Sequence, residues 1–429
     1  MATTALDLPP RSSAVGAEEI RALASPGALA RHSKDLLLYI HVPFCSSKCH
    51  FCDWVVGYDT RDLIDKAGDL REAYVDALCT QIDAYAPMLQ DMGYQVTNIY
   101  WGGGTPTRLS PAQIGRVYER LGRHLSFDKV GEHTAECSPE TLTPEHLAVW
   151  MAHGLNRLSI GVQAYDAPTL RRIGRSHSIE EVHNSIRYVR EAGLENFNID
   201  LVTGLPDQGA EAATASVQAA IDGGIPHVSL YMFRDHAAAL TAVRQMNAGH
   251  VQQRSREERT RSYNDAKAMF EEAGYEEYII GYFAKDPMYR FDGEDYYFSI
   301  RGDYFGFGAG AGSVIGRYSL KSGEPARYGN SHVRDFIAQP SELFACPLRG
   351  APDALFTDGF FKAFATPGGI DHGRWRDQFG FDFAALLAAR PGIRAWMDAR
   401  RADGAVFKET AERIALSPET WLDTMMWRR

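Results

Sequence analysis

Three cysteines in one short run are the part of this sequence with the clearest chemical meaning. Cys45, Cys49 and Cys52 have the spacing C-x3-C-x2-C and follow the apolar stretch Leu36–Pro43. Thiolates hold iron–sulfur clusters, and a four-iron cluster normally takes four of them. Three thiolates leave one iron open to a small molecule, as in metal sites that are catalytic rather than structural. The alternatives are a zinc knuckle with a remote fourth ligand, or buried free thiols.

Other residues with chemical potential stand near the ends of later apolar, strand-like runs. The run Gly102–Pro106 lets backbone approach a ligand closely, because glycine has no Cβ. Glu136, Gln163 and Asp200 occupy comparable positions in three further runs. Taken singly, each is also compatible with a tight turn, a cap or a core group whose hydrogen bonds are satisfied. Their shared position favours ligand binding.

The elements that must position these residues are alternating strands and helices between residues 36 and 275. Thr143-Pro144 and the capping box Ser178–Glu181 predict two helix starts, and Gly193 predicts a helix end. Six β–α units in series predict a parallel sheet with helices outside. Because polar elements gather at the C-terminal ends of several strands, we expect an α/β fold with a partial (β/α)6 barrel. The predicted strands are Leu36–Val42, Val96–Trp101, His133–Cys137, Arg157–Gln163, Phe197–Val202 and His227–Phe233.

Composition divides the chain into four regions. Residues 1–35 are rich in Ala, Ser and Pro and predict a flexible N-terminal extension, and residues 36–275 predict the barrel. Residues 276–343 predict extended segments with a glycine-rich, close-packed turn at Gly306–Gly312. This run lacks the helix and the acidic residue of a dinucleotide site, so ligand contact is the less favoured interpretation. Residues 344–429 carry mixed helical patterns and predict a small, α-rich accessory domain.

Charge and composition narrow the class of protein. The formal net charge of −10 argues against a nucleic-acid partner, because phosphate binding needs a basic face. No apolar run approaches the roughly 20 residues that a membrane span needs. Six cysteines, half of them in one motif, do not form a disulfide pattern. We therefore expect the protein in a reducing compartment, the cytoplasm. Cys79 shares a helical face with Val75 and Ile82 and is predicted to be a core thiol.

Together these motifs resemble the radical S-adenosylmethionine (SAM) superfamily. Within it they are similar to the branch of the oxygen-independent coproporphyrinogen III oxidases. That branch also includes heme chaperones and the class C radical SAM methyltransferases of natural-product pathways. The resemblance covers about residues 36–316. Its motifs, in chain order, are Tyr39–Cys52, Trp101–Thr107, Glu136–Glu140, Ser159–Gln163, Gly174–His177 and Asn198–Pro206.

The resemblance implies a radical SAM barrel with a C-terminal accessory domain, holding a [4Fe-4S] cluster and two SAM molecules. The iron ligands that it implies are Cys45, Cys49 and Cys52. The residues implied for the first SAM, which chelates the open iron, are Tyr39, Gly103 and Glu136. The residues implied for the second SAM are Phe51, Gly104, Thr105, Gln163, Arg175 and Asp200. The short interval from Gln163 to Arg175 lets both reach one ligand, and the Asp200 carboxylate suits ribose hydroxyls or an ammonium group.

Departures from the branch help to choose among its members. The oxidases typically carry a further cysteine two residues after the third ligand, where this chain has Trp54. The heme chaperones carry His-Asn-x-x-Tyr-Trp, and the counterpart Gly293–Phe298 contains no histidine. We therefore expect a class C methyltransferase or cyclopropanase that transfers a SAM-derived methyl or methylene group to an sp2 carbon of a natural product. Decarboxylation of coproporphyrinogen III and heme carriage are the alternatives.

The resemblance also implies a reaction course and partners. One SAM is cleaved to a 5′-deoxyadenosyl radical, which takes hydrogen from the methyl group of the second. The expected partners are a small-molecule or modified-peptide substrate, a flavodoxin or ferredoxin as electron donor, and a partner methyltransferase. The aromatic run Tyr296–Phe298 is predicted to pack against a flat substrate or in a core or interface. The predicted proton-transfer residues are Tyr231, Asp235, His236 and Tyr297.

Overall fold

Six parallel strands form the framework of the computed structural model of the protein. They are adjacent in chain order, so that each strand pairs with the next one along the chain. The predicted series of six β–α units and the partial barrel are confirmed, and each strand end lies within about two residues of its expected position. The strands are β1 (Asp35–Val42), β2 (Gln95–Gly103), β3 (Glu132–Cys137), β4 (Arg157–Gln163), β5 (Phe197–Thr203) and β6 (His227–Met232).

The structure describes residues 14–23, 34–47, 49–52, 57–58, 64–65, 68–233, 241–293, 303–315, 318–322, 330–346, 360, 363–364, 366, 368–379 and 382–417. None of the helices in these ranges is both long and apolar enough to cross a membrane. Two pairs of two-residue strands lie between β1 and the helix that begins at Leu70. Phe44–Cys45 pairs with Gly57–Tyr58, and Ile64–Asp65 pairs with Gly68–Asp69.

Helices follow the barrel strands and pack on the outer face of the sheet. The Thr143 and Ser178 side chains cap their helices as predicted, because each accepts a hydrogen bond from a backbone N–H of the first turn. The predicted stop at Gly193 is also confirmed, with φ at +77° just after the helix end. The helices are α1 (Leu70–Asp91), α2 (Pro111–Gly122), α3 (Pro144–Ala152), α4 (Ala167–Arg172), α5 (Ile179–Glu191), α6 (Ala210–Asp222), α7 (Thr241–Asn247) and α8 (Arg256–Glu272).

The two faces of the barrel strands differ in polarity. On the outer face, Trp101 of β2 packs against Tyr118 of α2 and Trp150 of α3, with ring centroids 5.1 and 6.5 Å apart. Side chains on the inner face are mostly polar, and Ser159 and Asp200 contact each other there. Because successive residues of a strand point to opposite faces, this alternation puts polar groups inside the barrel and the hydrophobic core beneath the helices.

The chain beyond residue 275 extends the same sheet on both sides of the barrel. β7 (Glu276–Ile279) and β8 (Tyr282–Ala284) add to the β6 edge, and β9 (Asp303–Phe307) pairs in parallel with β1. Outside β9, the strands β10 (Gly312–Ile315), β11 (Tyr318–Ser322) and β12 (Leu343–Cys346) follow, with helix α9 (Asn330–Ala338). Ala14–Val15 pairs with β12 and completes a sheet of thirteen described strands.

The glycine-rich run between β9 and β10 is a close-packed turn, as the sequence favoured. A Cβ on Gly306 would lie 2.3 Å from the Gly312 carbonyl oxygen, and one on Gly308 would lie 2.3 Å from Tyr74 Oη. The backbone N–H of Gly308 also donates to Gln81 Oε1 at 2.7 Å. Glycine is needed here because β10 and side chains of helix α1 approach the backbone directly.

Both ends of the chain contain packed elements. In the N-terminal extension, expected to be flexible, the described residues 14–23 include the helix Ala17–Leu23, and Ile20 is only 2% exposed because it packs into the main core. The predicted helical C-terminal region is confirmed, with α10 (His372–Phe379), α11 (Phe383–Ala389) and α12 (Pro391–Ala402). It also contains a small antiparallel sheet that was not predicted. Its strands are Ile370–Asp371, β13 (Val406–Glu409) and β14 (Arg413–Leu416).

Candidate functional site

The cysteine loop follows β1 and lies against the connection between α4 and α5. Ser47 Oγ donates to the carbonyl of Gly174, and the backbone N–H of His50 donates to that of Ile173, both at 2.8 Å. The imidazole Nδ1 of His50 lies 2.6 Å from the carbonyl oxygen of Arg172. These contacts tie the loop to a neighbouring part of the barrel and hold its cysteines at the C-terminal ends of the strands.

The three thiols of this loop are partly exposed. The Thr105 hydroxyl donates to Cys45 Sγ at 3.7 Å, and Arg175 Nη1 donates to Cys49 Sγ at 3.4 Å. Burial raises the pKa of the Cys45 thiol to about 12, and the neighbouring sulfurs of Cys49 and Cys52 raise it further, against the Thr105 hydrogen bond. Iron bound here would remove the thiol protons, because a metal deprotonates a coordinating thiol outright.

Within the part of the chain that the structure describes, no set of three or more His, Cys, Asp or Glu side chains is arranged to hold a single metal ion. A four-iron cluster does not require such a set, because it is bound through several separate thiolates to several irons. Cys79 is only 7% exposed and belongs to the main core, as the sequence predicted.

The glycine segment at the end of β2 leaves no space for side chains. A Cβ on Gly102 would lie 2.9 Å from Glu136 Oε2, and one on Gly103, whose φ is +109°, would lie 2.7 Å from the His41 ring. A Cβ on Gly104 would lie 2.7 Å from a backbone carbonyl just before the cysteine loop. These glycines therefore let the end of β2 come into direct contact with β1 and β3, and we call this segment the glycine cradle.

Glu136 on β3 is the acidic group nearest this cradle. Its carboxylate accepts hydrogen bonds from the Tyr100 hydroxyl, at 2.5 Å, and from the backbone N–H of Gly103. Burial raises the pKa of Glu136 to about 7, although the Tyr100 hydrogen bond opposes the rise. On β1, which pairs with the other side of β2, a hydrogen bond of 2.9 Å joins Tyr39 Oη to His41 Nδ1. The structure thus brings together Tyr39, Gly103 and Glu136, and their contact with SAM stays a prediction.

Asp200 on β5 lies among small polar side chains. Ser159 Oγ donates to its carboxylate at 3.3 Å, and Asn198 Nδ2 donates at 2.9 Å. Burial raises the pKa of Asp200 to about 6, while the positive charge of Arg157 opposes the rise. Asn198 Oδ1 is buried without a hydrogen-bond partner among the described residues. A buried acceptor without a partner is costly, so this position suits a ligand that donates a hydrogen bond.

Gln163 and Arg175 meet above Gly161. Gln163 ends β4 with φ at +69°, a strained conformation for a residue with a side chain. A Cβ on Gly161 would lie 3.0 Å from both Gln163 Nε2 and Arg175 Nη2. Arg175 Nη2 donates to the Gly161 carbonyl and, at 3.2 Å, to Ser138 Oγ. Strain of this kind concentrates at functional sites, and the assignment of both side chains to a second SAM stays a prediction.

Of the remaining predicted site residues, the structure describes two, Phe51 and Tyr231. Phe51 is partly buried against a cluster that includes Leu205 and Phe233. Tyr231 lies at the end of β6 with 44% of its surface exposed, and its hydroxyl is 3.3 Å from that of Tyr282. The other three proton-transfer candidates lie outside the described residues, and they are Asp235, His236 and Tyr297.

A buried cation at the N-terminal ends of the strands was not predicted from the sequence. Arg157 at the start of β4 is 2% exposed, its Nη2 lies 3.3 Å from His227 Nδ1, and its guanidinium lies 4.5 Å from the Phe291 ring centroid. Glu132 at the start of β3 accepts hydrogen bonds from the backbone N–H groups of the two residues after Phe291. These contacts close the N-terminal end of the barrel, opposite the cysteines.

The inner-face residues that the sequence analysis missed share one pattern. Each is a polar residue two positions away from another polar residue on the same strand. That period-two spacing is visible in the sequence and would have found them. They are Tyr100, Glu132, Arg157, Ser159, Asn198 and Ser229.

Comparisons with known proteins agree with this geometry. The family model described as "Radical SAM superfamily" matches residues 39–218. The chain is 31% identical over 306 residues to the heme chaperone HemW of Escherichia coli, covering 70% of this chain and 75% of that protein. It belongs to the radical SAM superfamily. Its branch is the one that contains the oxygen-independent coproporphyrinogen III oxidases and the heme chaperones.

Other relatives support the same branch. The heme chaperone HemW of Bacillus subtilis is 28% identical over 351 residues, with 81% of this chain and 88% of that protein covered. The oxygen-independent coproporphyrinogen III oxidase of E. coli is 28% identical over 259 residues, with coverages of 60% and 54%. The solved structure of coproporphyrinogen III oxidase HemN from E. coli has a TM-score of 0.75 at 24% identity, covering 92% of this chain and 90% of that one. This structure establishes the shared fold.

Membership of the superfamily implies a [4Fe-4S] cluster and SAM, and the residues present fit both groups. The Cys45 and Cys49 thiols receive hydrogen bonds from Thr105 and Arg175, as ligand sulfurs in clusters commonly do. The glycine cradle at the end of β2 lies beside this loop. Arg175 Nε is buried without a partner in the described part of the chain, which leaves a donor available for a ligand.

Proposed function

We propose that this protein is a radical SAM enzyme that binds two SAM molecules and transfers a SAM-derived methyl or methylene group to an sp2 carbon. The observation that carries the proposal is the pair of separate carboxylates inside the barrel. Glu136 takes its hydrogen bonds from β2, and Asp200 takes its own from β4 and β5. Two acidic positions with independent donors provide two places for the cationic or hydroxyl groups of SAM.

When bound, the reduced cluster and SAM supply a 5′-deoxyadenosyl radical, and that chemistry belongs to the cofactors. The residues of this chain bind and orient the reactants. Glu136, fixed by Tyr100, suits the ammonium group of the SAM on the open iron. Asp200 suits the ribose hydroxyls or the ammonium group of the other SAM, and Arg175 suits its carboxylate. Alignment of this kind is the main contribution that a protein makes to a reaction between two bound molecules.

The choice of methyl or methylene transfer rests on two sequence departures. Trp54 stands where the oxidases typically have a further cysteine, and the segment that begins at Gly293 has no histidine where the heme chaperones have one. Trp54 and residues 294–298 lie outside the described residues. The proposed substrate is a natural product or modified peptide with an sp2 carbon, and the proposed electron donor is a flavodoxin or ferredoxin. A partner methyltransferase and a cytoplasmic location belong to the same proposal.

Heme carriage is the second candidate, and the named relatives favour it over methyl transfer. The identity of 31% to a heme chaperone extends over three-quarters of that protein. Decarboxylation of coproporphyrinogen III is a third candidate, supported by the E. coli oxidase at 28% identity over 54% of its length. Both candidates share the cysteine loop and the barrel with methyl transfer. They differ in what occupies the open side of the barrel.

One set of incubations separates the three candidates. Anaerobically reconstituted protein is reduced and given SAM labelled at the methyl group, and 5′-deoxyadenosine and S-adenosylhomocysteine are quantified. A methyl-transfer enzyme should form both and should label a component of extracts from cells that lack its product. Parallel samples are titrated with heme, where a carrier gives a stable Soret band, or incubated with coproporphyrinogen III, where an oxidase releases carbon dioxide.

Matched cysteine variants make the test specific. Cys49→Ala should abolish 5′-deoxyadenosine formation, because it removes an iron ligand. Cys79→Ala, which removes a core thiol of 7% exposure, should retain it. The absence of 5′-deoxyadenosine from a sample with a full cluster would refute the enzymatic proposal. Its formation together with tight heme binding and no methyl transfer would favour the heme-carrier interpretation.

A further inference from the structure

Two side chains from outside the cysteine loop donate hydrogen bonds to its sulfur atoms. Thr105 follows the glycine segment of β2, and its hydroxyl lies 3.7 Å from Cys45 Sγ. Arg175 follows α4, and its Nη1 lies 3.4 Å from Cys49 Sγ. The two donors come from different β–α units and reach two different sulfurs. Each therefore adds a separate contact to the group that those sulfurs bind.

We propose that Thr105 and Arg175 set the reduction potential of the bound cluster through these hydrogen bonds to Cys45 and Cys49. The roles are additional to the SAM contacts that the resemblance implies for the same residues. The proposal rests on the iron–sulfur cluster of the superfamily and not on which reaction the enzyme performs. It remains testable if methyl transfer proves wrong.

The physical reason is the charge that reduction adds to the cluster. Hydrogen bonds to the sulfurs, net charge and solvent exposure are the terms that set the potential of an iron–sulfur cluster. A donor that points at a ligand sulfur stabilises the added electron and raises the potential. Arg175 brings a full positive charge, which also acts on the Cys45 thiol, whereas Thr105 brings only a dipole. We therefore expect the larger effect from Arg175, since charge-assisted hydrogen bonds are the stronger ones.

Arg175 is held rigidly enough to keep this contact. Its Nη2 donates to the Gly161 carbonyl and to Ser138 Oγ, at the ends of β4 and β3. Glu140 is the nearby acidic group whose charge acts on the guanidinium, and Ser138 Oγ donates to Glu140 Oε2 at 2.5 Å. Glu140 reduces the field of Arg175 at the cluster without removing the direct hydrogen bond to the sulfur.

The test is the midpoint potential of the cluster in the reconstituted full-length protein without SAM. The potential is followed by electron paramagnetic resonance during a redox titration of the wild type, Thr105→Val, Arg175→Lys and Arg175→Gln. Arg175→Gln should lower the ratio of reduced to oxidised cluster at a fixed potential by about tenfold, or about 59 mV for a one-electron couple. Thr105→Val should lower it by less, and Arg175→Lys should lie between Arg175→Gln and the wild type because it keeps the charge.

Two neighbours provide matched controls. Thr107, two residues after Thr105, is 5% exposed and its hydroxyl lies 2.6 Å from that of Thr141. Arg172 is an exposed arginine beside the loop whose Nη1 donates to the Asp207 carbonyl at 3.1 Å. Thr107→Val and Arg172→Gln should both keep the wild-type potential, because the structure shows no contact between either described side chain and a loop sulfur.

The measured midpoint potentials support or overturn the role of Thr105 and Arg175. Wild-type potentials in Thr105→Val and Arg175→Gln proteins with full iron content would overturn it. Equal shifts in the two controls would also overturn it, because the effect would then be a general one of packing. If Arg175→Gln fails to retain the cluster, Thr105→Val decides alone. Failure of the proposed function would appear instead as absent methyl transfer with these potential shifts intact.

Discussion

Replacement of Tyr100 by phenylalanine tests the proposed contact between Glu136 and a cationic group of SAM. The Tyr100 hydroxyl donates to Glu136 Oε1 from the neighbouring strand, and burial keeps the pKa of Tyr100 well above its usual range, so it remains a donor. Loss of this donor leaves the Glu136 carboxylate with one fewer hydrogen bond in a buried place. We expect the variant to bind SAM more weakly at neutral pH.

The magnitude follows from the energy of the lost bond. A hydrogen bond to a charged group contributes about 1.5–3 kcal/mol, and one pKa unit corresponds to about 1.4 kcal/mol. Burial already raises the pKa of Glu136 to about 7, so the variant should have a pKa about one to two units higher. Its ionised fraction at pH 7 falls from about one half to about one-tenth or less, so SAM affinity should fall at least about fivefold. The affinity should recover as the pH rises toward about 9.

The assay is equilibrium binding of SAM to unreduced, reconstituted protein between about pH 6 and about pH 9, followed by the change in the cluster spectrum. Tyr118→Phe is the matched control, because the Tyr118 hydroxyl lies 2.6 Å from His133 Nε2 on the helix-facing side of the sheet. That variant should lose stability and keep its SAM affinity. The reasoning is wrong if Tyr100→Phe binds SAM with the wild-type affinity and pH profile.

Three further substitutions test the barrel interior through its stability. Gly103→Ala places a Cβ 2.7 Å from a histidine ring at φ +109° and should lower the free energy of urea unfolding by about 1–3 kcal/mol, whereas Gly122→Ala, where a Cβ meets no atom within 4 Å, should not. Burial raises the pKa of Glu132 to about 7, above its unfolded value of about 4.3, so the folded state holds the proton more tightly. The stability that the protonated carboxyl contributes is present at low pH and is lost as the pH rises through about 7. Glu132→Gln should therefore decline less in unfolding free energy between about pH 4.5 and 7 than the wild type, and parallel curves would contradict this. Gln163→Gly relieves the strain of φ +69° and should unfold at a urea concentration no lower than the wild type. If Gln163 holds the proposed second SAM, the variant should also bind that molecule more weakly. A clear loss of stability would show that the residue is not strained.

The strands and the position of the reactive groups were readable from the sequence because both depend on local patterns. Apolar runs with turn signals predicted all six barrel strands, and Arg157–Gln163 has the predicted ends. Parallel strands joined by helices bring their C-terminal ends to one side of the sheet. That rule alone predicts that the cysteine loop, Glu136 and Gln163 lie at the same end of the barrel, as they do in the structure.

The hydrogen bonds inside the barrel could not be predicted in the same way. Tyr100 contacts Glu136 across 36 residues, and Arg175 contacts Cys49 across 126. Such contacts depend on strand register and on side-chain length. A change of register by one residue would turn every inner side chain to the helix-facing side. The small C-terminal sheet was missed for a related reason, since strands of two to four residues carry almost no periodic signal.

By itself, the sequence determined which chemical groups are available and the end of the barrel to which they belong. The thiols, glycines and carboxylates are covalent facts, and the alternation of strands and helices fixes their order around the sheet. Only the tertiary structure decided which donors reach the sulfurs, that Arg157 lies buried at the opposite end, and that Gln163 is strained. These features arise from packing between segments distant in the chain, where energies depend on distances of a few ångströms that no local pattern records.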